Sequence, residues 1–145
     1  MNTLLPYQRV VDAISEYSDK CIVCLETAAD FNGISNGGIL TNTFKVYISE
    51  PIRVNDNVKA IVLRNCFNTK KYDTIHGVNV TTIEQTILDL IDNADNVDPQ
   101  NLLESLANYY YDNNESFDSL TRTMNQRQLE ILDSWKDDAI SYYEE

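Results

Sequence analysis

The clearest change of hydrophobic period along the chain falls at residues 77–91, read Gly77-Val78-Asn79-Val80-Thr81-Thr82-Ile83-Glu84-Gln85-Thr86-Ile87-Leu88-Asp89-Leu90-Ile91. Val78 and Val80 alternate with polar neighbours, the period of a half-buried strand. From Ile83 the spacing becomes helical: Ile83, Ile87 and Ile91 stand four apart, with Leu88 and Leu90 beside them. Thr81-Thr82-Ile83-Glu84 lies between and reads as a Thr-x-x-Glu capping box. In that reading the Thr81 hydroxyl takes an orphan amide of the first turn, and Glu84 reaches back to the cap amide at the positive helix end. A strand-to-helix junction in an α+β core is expected.

The remaining pattern supplies the other elements. After Pro6, the residues Tyr7, Val10, Val11, Ile14 and Tyr17 follow helical spacing, so one amphipathic helix is expected over about 5–18. Asn32-Gly33 and Ser35-Asn36-Gly37-Gly38 read as a helix stop and a turn. Phe44-Lys45-Val46-Tyr47-Ile48 alternates as a strand with one buried face, and residues 58–63 form a second. Residues 72–75 and 78–80 flank His76-Gly77 as a tight hairpin. Asp98-Pro99 caps and opens a helix striped by Leu102, Leu103, Leu106, Ala107 and Tyr110. The last helix is expected over about 125–143, with Leu129, Leu132, Trp135, Ala139 and Tyr142 on one face. The expected fold is α+β: a small, mainly antiparallel sheet of three or four strands, an N-terminal helix and a helical C-terminal half. It is expected to form one domain over 1–145, with a helix at 1–20, a sheet-containing part at 21–80 and an acidic helical part at 81–145.

Charge divides the chain more sharply than hydropathy does. Residues 1–83 hold eight basic and eight acidic side chains, whereas residues 84–145 hold three basic against fifteen acidic. The whole net charge of −12 therefore lies in the second part. Such a surface repels nucleic acid and suits a basic protein partner. Glu130, Asp133 and Asp137 stand three and four apart in the last helix, where like charges repel by a few tenths of a kcal/mol per pair. Together with Asp138 they are candidate partner-binding residues. Tyr109 and Tyr111 join them, because three consecutive tyrosines span too wide an arc for all to be buried, and Tyr is enriched at interfaces. No run of eighteen apolar residues occurs and no basic-then-apolar leader opens the chain, so neither membrane span nor secretory signal is expected and the cytoplasm is the default compartment.

Residues able to do chemistry are few. Cys21, Cys24, Cys66 and His76 would make a Cys₃His zinc set, but structural zinc ligands come as two close pairs, and Cys66 and His76 are ten apart. Ile22 and Val23, between the first two cysteines, suit core packing instead. Gly37-Gly38 runs into Ile39-Leu40 and not into the Gly-Lys-Ser/Thr of a phosphate loop. Lys70-Lys71, the one basic doublet, reads as an exposed loop. The single His has no nucleophile signature around it, so neither catalysis nor a cofactor is expected.

Val80-Thr81-Thr82-Ile83-Glu84-Gln85-Thr86-Ile87-Leu88-Asp89 resembles the V-T-S-P-E-R-T-L-L-D signature of the AbiEi-family antitoxins of type IV toxin–antitoxin (abortive-infection) systems. Thr81, Glu84, Thr86 and Asp89 carry the match. Upstream, Leu25-Glu26-Thr27-Ala28-Ala29-Asp30-Phe31-Asn32-Gly33-Ile34 is similar to that family's E-S-A-L-x-x-L-G-L helix, and residues 44–49 to the strand after it. The family's Arg is Gln85 here, so any ion pair made by that Arg is lost. About one helix precedes the matching region, in place of the family's DNA-binding winged helix-turn-helix. The resemblance implies a neutralising domain without its DNA-binding partner domain, acting on a nucleotidyltransferase-type toxin by protein–protein contact. The alternative expectation is an acidic phage or mobile-element inhibitor that mimics nucleic acid in the channel of a host defence nuclease such as a CRISPR effector.

Overall fold

The computed structural model describes residues 6–35 and 43–144. The Gly37-Gly38 turn lies outside the described residues. A five-stranded sheet has the order β3-β2-β1-β5-β4, with β1 Cys21–Val23, β2 Phe44–Ile48, β3 Val58–Val62, β4 Tyr72–Ile75 and β5 Val78–Thr81. Helices α1 Pro6–Ala13 and α2 Leu25–Phe31 flank β1 in sequence, and the short α3 Cys66–Thr69 precedes β4. The second half is helical, with α4 Ile83–Asp92, α5 Pro99–Asp112, a short α6 Asp118–Thr121 and α7 Gln126–Ile140.

This corrects the expected small antiparallel sheet of three or four strands. β1 pairs antiparallel with β2 but parallel with β5, and β2 pairs parallel with β3; β4 and β5 form the antiparallel hairpin. The physical reason is Cys21-Ile22-Val23. All three side chains are buried, so this central strand shows no alternation, and its apolar run is too short to separate from a helix fragment by period. The residues between β2 and β3 form a crossover, which returns the chain parallel to β2. Ile52 and Val54 pack into the core as it passes, and the Asn55 side chain donates to the Ala13 carbonyl at 2.5 Å.

The sheet divides two cores. On one face Val10, Ile14 and Tyr17 pack against Cys21, Val23, Phe44, Val46, Ile48, Val78 and Val80. On the other, Ile22, Cys24 and Tyr47 meet Ile87, Leu90 and Ile91 of α4, Leu102 and Leu106 of α5, and Leu132 and Ala139 of α7. Helix α2 serves both, with Ala28 toward the first core and Leu25 and Ala29 toward the second. It ends at Gly33, whose φ of +77° only a residue without Cβ adopts freely; Gly33 and Ile34 return amides to the carbonyls of Asp30 and Ala29 in a Schellman stop. His76 and Gly77, with φ of +53° and +81°, make a two-residue turn between paired Ile75 and Val78.

Candidate functional site

The signature residues build a junction, one residue displaced from its expected form. Thr81 is the last rung of β5, paired with Tyr72 and buried, and its hydroxyl meets that of Thr86 at 2.6 Å. The helix cap is therefore Thr82, whose hydroxyl accepts from the Gln85 amide at 3.2 Å. Glu84 points away from the cap and accepts from the Tyr109 hydroxyl at 2.9 Å, joining α4 to α5. The Asn32 side chain donates to the Thr81 carbonyl at 3.0 Å, so the segments carrying the two sequence resemblances meet in space.

Asp89 lies at the centre of this junction, 1% exposed. Its Oδ1 receives Lys70 Nζ at 2.5 Å and Gln85 Nε2 at 3.0 Å, while Gln85 Oε1 accepts from the Lys71 amide at 3.1 Å. Gln85 thus bridges to the carboxylate, and Lys70 supplies the cation. Lys70 is consequently no exposed loop residue: it bridges to α4 and lies 5.3 Å from the centre of the Tyr47 ring. Burial raises the Asp89 pKa, and the hydrogen bond and charge of Lys70 act against that rise. Burial, then the nearby Cys24 and Asp89 groups, likewise raises the Tyr47 hydroxyl. The arrangement pins the connection between α3 and β4 onto α4.

The acidic candidates occupy the outer side of α7. Gln128, Leu132 and Ala139 turn inward, while Glu130, Asp133 and Asp137 are exposed and lie within about one third of the helical circumference, with exposed Asp138 on the flank. The ion pairs Lys45–Glu26 and Lys70–Asp89 lie elsewhere, and among the described residues none involves α7. Asn125 caps the helix in a complete box with Gln128, whose Nε2 also donates to Asp92 at 3.0 Å and ties α7 to α4.

The tyrosines divide. Tyr109 is 3% exposed, stacked on Phe117 with ring centres 6.3 Å apart, and offers no free surface; burial, then the bond to Glu84, pushes its pKa up to about 12. Tyr111 is half-buried; its hydroxyl donates to the Ile140 carbonyl, and its ring meets Tyr110 and Tyr143 edge-on at 5.1 and 5.7 Å. Tyr143, 55% exposed, extends the aromatic surface beyond Tyr111. The sequence signal for this surface is the pair Tyr142-Tyr143, about two helical turns beyond Trp135. Grooves border α7. One of about 220 Å³ runs between Asp92, Asp95, Arg127, Ile131 and Trp135, and a wider one of about 510 Å³ lies between Tyr110, Phe117, Asp118, Lys136 and Ile140.

The four possible zinc ligands are not brought together. Cys21 faces the core under α1, Cys24 and Cys66 face the opposite one, and His76 sits in the hairpin turn 6.1 Å from the Phe31 ring. Burial pushes the Cys21 thiol up to about 12 and Cys24 well above its ordinary value, which keeps both protonated and unreactive at neutral pH. Among the described residues, no group of three or more His, Cys, Asp or Glu could hold a metal ion, and no helix is long and apolar enough to cross a membrane. No protein-family model matches the chain, and no curated protein matches it either.

Proposed function

We propose that this chain is a non-catalytic, antitoxin-like binding protein that neutralises a nucleotidyltransferase-type toxin by laying the outer face of α7 on a basic surface. The observation that carries the reading is the run Glu130, Asp133 and Asp137: exposed on one side of a well-capped helix, with no ion pair to a cation among the described residues. Adjacent like charges of this kind cost folding a little, and a cationic partner relieves that repulsion. The resemblance to the AbiEi-family antitoxins supplies the class of partner, and its two matched segments touch in this fold. No reaction, metal or cofactor enters the reading, and the negative charge disfavours direct binding to DNA. Co-expression with a nucleotidyltransferase-type toxin tests it. Growth should be restored by the chain and not by an empty vector.

A second reading draws on the same row of carboxylates. Asp133 and Asp137 lie about 6 Å apart along the helix axis, a spacing on which a nucleic-acid channel could close as it does on phosphates. In this reading the protein is an acidic inhibitor, carried by a phage or mobile element, of a defence nuclease. It would displace nucleic acid from the nuclease, and the displacement would weaken as salt rises.

A further inference from the structure

We propose that the groove between the end of α4 and α7 is an anchor pocket for one arginine side chain of the basic partner. The inference rests on the docking reading above and specifies where that contact is most selective. Trp135 lines the groove half-buried, with its indole packed against the core. A flat aromatic wall suits the guanidinium plane, which stacks and still projects its fork of donors. Asp92 and Asp95 line the same groove. Asp92 Oδ1 already accepts from Gln128 Nε2 at 3.0 Å, which orients the carboxylate and leaves Oδ2 for an incoming donor.

Helix α4 ends here, bringing its negative pole, and its last turn holds no basic residue. Arg127 is the groove's own cation, so the two carboxylates leave one negative charge over. That balance admits one further cation. A volume of about 220 Å³ matches a single long side chain and is too small for a helix or strand. The outer carboxylates of α7 then steer the partner, and the groove fixes its register.

Trp135 is the chain's one tryptophan, so its emission reports on this groove directly. Fluorescein-labelled octa-arginine, followed by anisotropy, measures binding; unlabelled octa-arginine is titrated against Trp135 emission, with octa-lysine as the comparison. The expected result is a saturable change in Trp135 emission that tracks the anisotropy and is smaller for octa-lysine. Asp95→Asn, at an exposed position, should weaken octa-arginine about threefold and shrink the emission change. Binding by anisotropy with no change at Trp135, or an unaltered affinity in Asp95→Asn, overturns the pocket and leaves the acidic face standing. No binding of either peptide at low salt overturns both.

Discussion

Asp89 shows how little a single position reveals about its use until its neighbours are known. In the sequence it is an acidic residue off the apolar stripe of a helix; in the fold it is a buried carboxylate held by a lysine nineteen positions away. That pairing follows from the β4–β5 register, which brings Lys70 and Lys71 alongside α4, and no local periodicity contains it. Because burial raises its pKa above that of the unfolded chain, Asp89 favours folding most when protonated. Its contribution is fully present below the ordinary carboxylate pKa of about 3.9 and is lost as pH rises through the higher folded value. The unfolding free energy of the wild type minus that of Asp89→Asn, from urea titrations, should therefore fall as pH increases across this acidic window. A difference that grew with pH would mean that Lys70 outweighs burial.

Among the elements, those with chemical punctuation were legible and the unpunctuated one was not. His76-Gly77, Asn32-Gly33, Asp98-Pro99 and Asn125 each mark a boundary by backbone or capping chemistry, and each marks it in the structure. The junction before α4 offered two threonines in succession, and the strand claimed the first, which moved the cap to Thr82. Thr82→Ala should cost about 1 kcal/mol in chemical denaturation through loss of that cap. A cost near zero would place the cap elsewhere. Strand β1 has no turn residues and no alternation, yet it joins the two halves of the sheet and faces both cores. Ile22→Ala, at a fully buried position, should cost about 2–4 kcal/mol, whereas Val62→Ala on the edge strand, 54% exposed, should stay within about 0.5 kcal/mol. Similar costs at the two sites would contradict the central placement of β1.

Across the whole molecule, the partition of charge was visible in the sequence before any fold was known, whereas the identity of its exposed positions was not. Of the two tyrosines singled out, Tyr109 is packed against Phe117 and only Tyr111 reaches the surface, because the helix–helix contact that selects the buried ring is invisible to spacing. The acidic row of α7 is exposed by contrast, since the opposite stripe of Leu132, Trp135 and Ala139 fixes the rotation of the helix. Replacing Glu130, Asp133 and Asp137 with Gln, Asn and Asn removes mutual repulsion, so the folded chain should gain a few tenths of a kcal/mol. This separates docking from folding. The most direct test compares wild type and this triple variant, at equal expression, for restoring growth to cells making a nucleotidyltransferase-type toxin. The account predicts restored growth with the wild type and failure with the slightly more stable variant; restoration by both, or by neither, would contradict it.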